Sequence, residues 1–338
     1  MKESLKINNS IWNKFDTLQM QEYQANLYNY YRNVGFPYYP TDSDYRTTEL
    51  NKFLSYDISS IYQNFKSSGN LERSTHGLAL CWSYMHHAFD VKCNNYKTPY
   101  EVFHDDSLFK QCIAKRIQIG TNMSDSGIRK ILRTFRGTQS VSNFRPTSAA
   151  CIYKKYASDG KVWDMSSGYG GRMLGSVYAD VQEYIGTDPC KETYEQLCSM
   201  KNDLFNNRNI NLFEIGSEDF EWNENYFDLC FTSPPYFNTE KYSNEDTQSF
   251  NKFPSKNEWK EGFLRKTINN CYKYLKTGGY LIINVANVPN YNTLEADCVA
   301  TVLSENFTFK ELNHYILSTH AFSKSKMKTE PIFIFQKL

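Results

Sequence analysis

The chain has 338 residues, with 38 Lys and Arg against 37 Asp and Glu, so the global charge gives no indication of a polyanionic partner and any basic surface must be local. This length predicts two domains. The longest apolar run, around residues 280–288, is too short to span a bilayer, which predicts a soluble, cytoplasmic protein without a membrane partner. Nine cysteines without a C-x-x-C pair favour reduced thiols, and the spacing of Cys81, His86, His87 and Cys93 matches no zinc pattern, so no metal site is predicted.

Residues 1–140 are rich in Tyr, Asn and charged residues and show no alternation of strands and helices. Near their end, one basic helix is predicted over about 106–119 and another in SDSGIRKILRTFRG, capped by Ser124 or Ser126. The break at residues 120–122 gives a helix-turn-helix-like arrangement with the local basic surface that a DNA phosphate track needs. The alternative is a solvated helix that packs on the rest of the protein. DNA contacts are predicted from Lys115, Arg116, Arg129, Lys130, Arg133 and Arg136.

From about residue 146 the pattern becomes regular. Helices are predicted at 146–156, 170–181, 190–205 and 258–274, and strands in KVWDM, EYIGTDP, NLFEIGS, YFDLCFTS and YLIINVAN. This alternation predicts a parallel sheet covered on both faces, and HYILSTH with EPIFIFQKL predicts an antiparallel hairpin at one edge. The predicted fold class is therefore α/β: a doubly wound, Rossmann-like sheet with an antiparallel C-terminal hairpin in residues 141–338, plus a mainly helical N-terminal domain in residues 1–140.

The residues that follow each strand form one predicted site, because ligands of an open α/β sheet bind beyond the carboxyl ends of its strands. The first strand leads into DMSSGYGGR, a glycine-rich turn that opens a helix and suits an anionic group. The second ends at Asp188, where a carboxylate can accept hydrogen bonds from both hydroxyls of a ribose. The third is followed by residues placed to bind an adenine amino group. A tight connection, a helix cap and a solvated turn are the alternatives for these three segments. The predicted cofactor contains a nucleoside, and its predicted ligands are Asp164, Ser166, Gly168, Gly170, Asp188, Ser217, Glu218 and Asp219.

The fourth strand runs into TSPPYF at residues 232–237. With the glycine-rich turn two strands earlier, this chain resembles the S-adenosylmethionine-dependent methyltransferases that modify exocyclic amino groups of DNA bases, above all phage-borne members. The resemblance covers about residues 140–338 and implies S-adenosylmethionine as cofactor, double-stranded DNA as partner, DNA methylation of the restriction-modification kind, and a bacterial or phage-infected cell as location. It also implies that VSNFRPTSAACIYKKY completes the methionine side of the cofactor pocket, through Phe144, Arg145, Pro146 and Thr147.

The turn Ser233-Pro234-Pro235-Tyr236 has a physical rationale as a catalytic element. An exocyclic amino group is a poor nucleophile because its lone pair is delocalised into the ring. The Ser233 side chain and the Pro234 carbonyl can accept both amino hydrogens, and the prolines hold these acceptors rigidly. Tyr236 is predicted to stack on the base, which must first swing out of the duplex. In the family that the chain resembles, serine at the first position is commoner among cytosine-N4 enzymes, so the resemblance favours cytosine N4 over adenine N6. The chemistry requires no metal.

Target recognition is predicted to lie outside the segment between the glycine-rich turn and the Ser-Pro-Pro-Tyr turn. The predicted strands and helices of the sheet occupy that whole segment, which leaves no room for a recognition domain. We therefore assign recognition to residues 1–140, with the loop at residues 237–256 as a second contributor. Two alternatives stay open: a methyltransferase that acts on RNA or on a protein amide, and a DNA-binding protein that has lost turnover. The sequence predicts neither the recognition site nor the oligomeric state.

Overall fold

A computed structural model describes residues 5–7, 11, 14–120, 122–318 and 328–338. These residues fold into two units, one from Met1–Pro40 and His86–Ser142 and the other from Thr41–Met85 and Asn143–Leu338. We name the first the helical unit and the second the sheet unit. Residues 41–85, which the sequence-based division placed in the N-terminal domain, thus belong to the sheet unit.

Helices precede the first long strands of the chain and then alternate with strands. In the described residues the elements are, in chain order, α1 (Thr17–Val34), α2 (Ser43–Leu54), α3 (Ser59–Ser68), β1 (Asn70–Leu71), α4 (Leu78–Tyr84), β2 (Lys92–Cys93), α5 (Pro99–His104), α6 (Asp106–Gln118), α7 (Asp125–Thr134), α8 (Pro146–Tyr156), β3 (Lys161–Asp164), α9 (Gly171–Ala179), β4 (Glu183–Thr187), α10 (Lys191–Leu204), β5 (Ile210–Phe213), β6 (Phe227–Thr232), β7 (Glu240–Lys241), α11 (Ser249–Lys252), α12 (Lys256–Trp259), α13 (Lys266–Tyr274), β8 (Leu275–Asn284), α14 (Leu294–Ser304), β9 (Phe307–Ser318) and β10 (Lys328–Lys337). A π-helical segment, Lys260–Arg265, joins α12 to α13, and a 3-10 turn, His86–Asp90, precedes β2.

An eight-stranded sheet, counted over the described residues, forms the centre of the sheet unit in the order β1-β9-β10-β8-β6-β3-β4-β5. Strands β8, β6, β3, β4 and β5 run parallel, while β10 is antiparallel to both β8 and β9. The predicted α/β sheet with an antiparallel C-terminal hairpin is therefore confirmed. Strand β3 lies between β4 and β6, so connections leave it in opposite directions, and ligands of such sheets bind at this switch point.

Alternate residues of the central strands enter two apolar cores, one on each face of the sheet. Trp163 and Cys230 belong to the core that contains α13, whereas Val162 and Leu229 belong to the core that contains α8. Helices cover both faces, which is the pattern expected for parallel strands. This packing fixes the register of the strands and hence the level at which their carboxyl ends stop.

Residues 41–85 join the sheet unit through apolar contacts and one short strand pairing. Helix α3 places Ile61 and Phe65 in the same core as α8. Strand β1 pairs in parallel with β9, and its Leu71 is fully buried. Because β1 has only two residues, the sequence shows no strand pattern in this segment. The sequence-based division near residue 140 therefore missed this connection.

Helices α1, α5, α6 and α7 surround the core of the helical unit, where Tyr31, Phe109 and Leu132 are buried. The two predicted basic helices correspond to α6 and α7. Ser124 caps α7, because its hydroxyl accepts a hydrogen bond from the Gly127 amide at 3.2 Å. The prediction of a mainly helical N-terminal region is confirmed.

Helix α14 is absent from the sequence-based prediction. Its residues Leu294, Cys298 and Val302 are buried at a spacing of four, which is a helical repeat, so the sequence did contain a signal for it. None of the helices in the described part of the chain combines the length and the apolar character needed to cross a bilayer.

Candidate active site

The carboxyl ends of β3, β4, β6 and β8 stop side by side at one edge of the sheet. Asp164 pairs with Gly186 on one side and with Phe231 on the other, while Thr232 pairs with Ile283 of β8. The turns that follow these strands therefore come together. They contain most of the residues that the sequence predicts to bind a cofactor or a substrate.

The turn after β3 depends on glycines for its shape. Gly168 and Gly170 have φ angles of 53° and 80°, left-handed values that residues with side chains disfavour. A Cβ atom on Gly171 would lie 1.9 Å from the carbonyl oxygen of Phe144. Only glycine at this position allows the segment upstream of α8 to lie directly on the turn.

The segment that the resemblance assigns to the methionine side of the cofactor is this same upstream segment. Asn143, which the sequence analysis missed, fixes it to the turn. Its Nδ2 donates to the Tyr169 carbonyl at 2.9 Å, and its Oδ1 accepts from the Gly171 amide at 3.2 Å. Three of the four predicted residues, Phe144, Pro146 and Thr147, are buried. Arg145 is half-buried.

Asp188 follows β4 and holds the glycine turn from the other side. Its Oδ2 accepts from the Gly168 amide at 2.8 Å, and its Oδ1 accepts from the Cys190 amide at 3.0 Å. Burial raises the pKa of Asp188 to about 6, although the hydrogen bonds from these two amides lower it. The residue is only half-buried, so part of it stays accessible to a ligand.

Asp164, predicted to contact the cofactor, is fully buried and engaged within the protein. Its carboxylate accepts from Arg172 Nε at 2.9 and 3.0 Å and from the Tyr184 hydroxyl at 2.6 Å. This arrangement differs from the predicted direct contact, because a buried arginine of α9 already neutralises the aspartate. We assign Asp164 a positioning role, since it ties β3, β4 and α9 together at the glycine turn.

The turn after β5 carries a buried carboxylate. Glu218 Oε1 accepts from Lys252 Nζ at 2.8 Å, and Asp219 also pairs with Lys252. The second oxygen of Glu218, Oε2, is buried and has no hydrogen-bond partner among the described residues. A buried acceptor without a partner is costly, so this oxygen favours a ligand that donates a hydrogen bond. Ser217, by contrast, already shares a hydrogen bond with Thr267 at 2.8 Å.

A small cavity of about 10 Å³ lies among these turns. Ser166, Ser217, Thr232 and Pro234 contribute to its lining. The rest of the lining comes from Met165 and from side chains of the π-helical segment, α13 and β8. The cavity therefore touches the turn after β3, the turn after β5 and the Ser-Pro-Pro-Tyr turn at once.

The Ser-Pro-Pro-Tyr turn follows β6 directly and is held by two loops. Phe237, the next residue, has a left-handed φ of 55°, which is unusual for an aromatic residue. The Thr239 amide donates to the Tyr236 carbonyl at 3.2 Å, and the Thr239 hydroxyl donates to Asn290 Oδ1 at 2.9 Å. Asn290 belongs to the loop after β8, so this loop supports the turn. Pro234 is buried, whereas Ser233, Pro235 and Tyr236 are half-buried.

The Tyr236 hydroxyl lies in a confined, acidic environment. Burial raises the pKa of Tyr236 well above its ordinary value, and the charges of Glu330 and Glu240 raise it further. Hydrogen bonding to the Ala286 backbone and to the Ser233 side chain acts in the opposite direction. Tyr236 therefore stays protonated at neutral pH and lies within hydrogen-bonding reach of Ser233.

The basic residues predicted to contact DNA differ from one another in burial and in hydrogen bonding within the helical unit. Arg116 donates to the Asn122 carbonyl at 2.7 Å, and Arg133 donates to the Val141 carbonyl at 3.1 Å. These two side chains are half-buried, so much of their hydrogen-bonding capacity serves the fold. Lys115, Lys130 and Arg136 are exposed.

The structure corrects the prediction for Arg129, which is only 8% exposed. Its Nη1 donates to the Pro37 carbonyl at 2.8 Å, and its guanidinium lies 3.8 Å from the centre of the Tyr39 ring. An arginine enclosed in this way cannot reach a DNA phosphate. Through these two contacts, Arg129 connects residues 37–39 to α7.

Residues 227–338 match the sequence model of a family described as DNA methylase. The match begins with β6 and includes the Ser-Pro-Pro-Tyr turn and the antiparallel hairpin. The match covers 112 of the 338 residues. It supports the resemblance seen in TSPPYF, and with it S-adenosylmethionine as the cofactor. A phage origin stays a prediction.

Solved structures similar to this chain include an S-adenosylmethionine-dependent methyltransferase from Methanosarcina mazei, an N-methyltransferase from Bradyrhizobium japonicum and a tRNA (m1A58) methyltransferase from Aquifex aeolicus. Their sequence identities are 14%, 14% and 15%, and their TM-scores are 0.41, 0.38 and 0.37. The matches cover 55%, 56% and 59% of this chain and 97%, 93% and 71% of theirs. Similarity this low decides nothing about the substrate. A search of the curated proteins finds no match.

The residues around the glycine turn fit S-adenosylmethionine. Asp188 would accept hydrogen bonds from the ribose hydroxyls, and the unpaired Glu218 Oε2 would accept one from the adenine amino group. The segment fixed by Asn143 is the one that the resemblance assigns to the methionine part. Within the described ranges, no group of three or more His, Cys, Asp or Glu residues is placed to hold a metal ion.

We expect the affinity for S-adenosylmethionine to rise as the pH increases from about 5 to 7. The free protein holds a proton on Asp188 below its raised pKa of about 6, whereas ribose hydroxyls donate best to the ionised carboxylate. Binding therefore releases a proton, and the affinity changes by at most about tenfold per pH unit. Calorimetry in buffers of different ionisation enthalpy measures both effects.

The variant Asp188→Asn should bind the cofactor more weakly by about 1.5 to 3 kcal/mol and should lose this pH dependence. Asp228→Asn, at the opposite end of β6, is the matched control. An unchanged affinity in a folded Asp188→Asn protein would remove Asp188 from the cofactor site.

Proposed function

We propose that the protein is a site-specific DNA methyltransferase. It transfers a methyl group from S-adenosylmethionine to the exocyclic amino group of a base extruded from duplex DNA, with cytosine N4 favoured and adenine N6 next. The observation that carries this proposal is the Ser-Pro-Pro-Tyr turn, which follows β6 next to the glycine turn and lies inside the segment that matches the DNA methylase family.

The side chains of the turn act on the base. When bound, S-adenosylmethionine supplies a methyl group that its sulfonium has already activated. Ser233 and the Pro234 carbonyl accept the two amino hydrogens, which directs the nitrogen lone pair away from the ring. The methyl group would pass to this nitrogen, which would then release one of its two protons to solvent, while Ser233 and the Pro234 carbonyl keep the nitrogen aligned. Tyr236 holds the ring by stacking, so alignment supplies most of the rate.

The helical unit supplies target recognition in this proposal, together with the loop at residues 237–256. Three exposed cations, Lys115, Lys130 and Arg136, remain as candidate phosphate contacts once Arg129 is excluded. Phosphate contacts position a protein on DNA without specifying sequence. Base-specific contacts must therefore come from other residues.

Replacing Lys115, Lys130 and Arg136 together by alanine should weaken DNA binding and flatten its salt dependence. Each phosphate contact that is lost lowers the slope of log affinity against log salt by about 0.9. Fluorescence anisotropy at several salt concentrations measures this slope. The triple control Lys52→Ala, Lys66→Ala and Lys273→Ala removes the same charge from exposed positions of the sheet unit. Equal slopes for the two triple variants would show that the α6–α7 surface does not contact the phosphates.

Methyl transfer itself tests the proposed function. Purified protein with methyl-labelled S-adenosylmethionine is offered duplex DNA, RNA and a protein extract in separate reactions. We expect label in DNA, recovered after hydrolysis as N4-methylcytosine or, second, N6-methyladenine. Label confined to RNA or protein would replace DNA as the substrate, and no label in any reaction would identify a protein without turnover.

A further inference from the structure

The loop that follows the Ser-Pro-Pro-Tyr turn contacts the turn after β4 with its second half. The Thr247 hydroxyl donates to the Pro189 carbonyl at 2.9 Å, and Glu245 Oε2 accepts from the Lys191 amide at 3.3 Å. Pro189 directly follows Asp188, the carboxylate that fits the ribose hydroxyls. This part of the loop therefore borders the ribose side of the cofactor site.

Helix α11 carries the same loop onward to the turn after β5. Lys252 Nζ, at the end of α11, donates to Glu218 Oε1 at 2.8 Å. The Lys252 amide donates to the Gln248 carbonyl at 2.9 Å, which closes a single helical turn between these two residues. Residues 245–252, which we name the loop wall, therefore bridge the turns after β4 and β5. Gln248 lies between the two contacts that fix the loop wall.

The side chain of Gln248 is buried and incompletely bonded. Only 3% of the residue is exposed, and its Nε2 has no hydrogen-bond partner among the described residues. The backbone of Gln248, by contrast, is engaged, since its amide donates to the Glu245 carbonyl at 3.1 Å. A buried donor without a partner is costly, and a ligand that accepts a hydrogen bond would remove that cost.

The loop wall and the turn after β5 thus present two unpaired atoms of opposite kind. Gln248 Nε2 needs an acceptor, whereas Glu218 Oε2 needs a donor. Both residues are more than nine-tenths buried. Lys252 links them, because its backbone bonds to Gln248 and its side chain bonds to Glu218. A ligand that satisfies both atoms must offer a donor and an acceptor on one edge.

Adenine has such an edge. Its amino group at C6 is a donor, and the ring nitrogens on either side of that group, N1 and N7, are acceptors. The methionine part of S-adenosylmethionine also carries donors and acceptors, but the resemblance assigns it to the segment upstream of α8. The contacts of the loop wall lie instead beside Asp188 and at Glu218, on the nucleoside side of the site.

We propose that Gln248 is a further cofactor-binding residue, whose side-chain amide donates a hydrogen bond to N1 or N7 of the adenine. Glu218 accepts from the amino group between these two nitrogens. The inference rests on the cofactor assignment within the proposed function and is independent of the methyl acceptor. It also gives the loop at residues 237–256 a second task, since its second half closes the nucleoside part of the cofactor site.

Analogues of the reaction product test the proposal on the unaltered protein. Calorimetry without DNA measures the affinity of the full chain for S-adenosylhomocysteine and for its 1-deaza and 7-deaza forms, each of which lacks one of the two ring acceptors. We expect one of the deaza forms to bind about five- to tenfold more weakly than S-adenosylhomocysteine. Equal affinity for all three compounds is the result expected if only water satisfies Gln248, and it would overturn the proposal.

Gln248→Met tests the donor from the side of the protein, because methionine has a similar length and no N–H group. The variant should bind S-adenosylhomocysteine about five- to tenfold more weakly than the parent. It should show no further loss on the deaza form that the parent binds poorly. Gln63→Met, at an exposed position of α3, is the matched control and should bind all three compounds like the parent. A Gln248→Met protein that loses as much on that deaza form as the parent does would contradict the proposed contact.

These measurements separate the failure of this inference from the failure of the proposed function. If the parent binds no S-adenosylhomocysteine, the cofactor assignment and the role of Gln248 are both overturned. If the parent binds it and methylates DNA, but binds the two deaza forms equally well, only the role of Gln248 is overturned. A substrate other than DNA would change neither expected affinity pattern.

Discussion

Replacing Ser233 by alanine is expected to lower the rate of methyl transfer by about 10² to 10³, the usual effect of removing one preorganised polar group from a reacting centre. The hydroxyl matters most as the amino nitrogen becomes pyramidal, so binding of DNA and of S-adenosylmethionine should change little. Single-turnover kinetics measures the rate, and equilibrium titrations measure the two affinities. A Ser233→Ala protein that methylates at the parental rate would leave the turn with a purely structural role.

Tyr236 provides the contrast to Ser233. Tyr236→Ala removes a stacking surface that contributes roughly 1 to 3 kcal/mol per base, so capture of the extruded base should weaken. Tyr236→Phe keeps the ring and should retain most of this capture, which makes it the matched control. A fluorescent base analogue at the target position reports extrusion separately from transfer. Identical extrusion by the alanine and phenylalanine variants would exclude stacking on Tyr236.

Replacing Asp164 by asparagine is expected to lower the free energy of unfolding by about 3 to 5 kcal/mol. The variant keeps the shape of the side chain and an acceptor for the Tyr184 hydroxyl, but it leaves the Arg172 guanidinium buried without its counter-charge. Adding Arg172→Met removes this stranded charge and should recover most of the loss. Such a recovery would show that the unmatched charge, and not a change in side-chain shape, causes the loss of stability.

Urea unfolding followed by tryptophan fluorescence suits this measurement. Four of the five tryptophans lie in the sheet unit, namely Trp82, Trp163, Trp222 and Trp259, and Trp163 is adjacent to Asp164 in the chain. The signal therefore comes mainly from the unit that carries the ion pair. If Asp164→Asn unfolds within about 1 kcal/mol of the parent, Asp164 and Arg172 do not form a buried, charge-matched contact.

The central sheet could be predicted because its signals are local. Helix α8 begins at Pro146 and ends at Tyr156, as expected from the sequence, and β3 to β6 and β8 fall on the predicted segments. Buried parallel strands are short apolar runs that glycine-rich turns delimit, and both features are visible without a structure. The Ser-Pro-Pro-Tyr turn could be found for the same reason.

Pairings between distant segments could not be predicted. The amphipathic pattern of α7 indicates which residues face inward, but it does not reveal that Pro37, 92 residues away, accepts a hydrogen bond from Arg129. Similarly, the sequence places Asp164 at the end of β3 but does not reveal that Arg172 pairs with its carboxylate.

The chain passes from the helical unit to the sheet unit after residue 40, returns after residue 85 and leaves again after residue 142. Residues 86–142 therefore form an insertion within the sheet unit, which has no single N-terminal boundary. A truncated protein that starts at residue 143 would lack α3 and β1, and the core would lose Ile61, Phe65 and Leu71. An expression clone of the isolated sheet unit should instead keep residues 41–85 and join them to 143–338 by a short flexible linker.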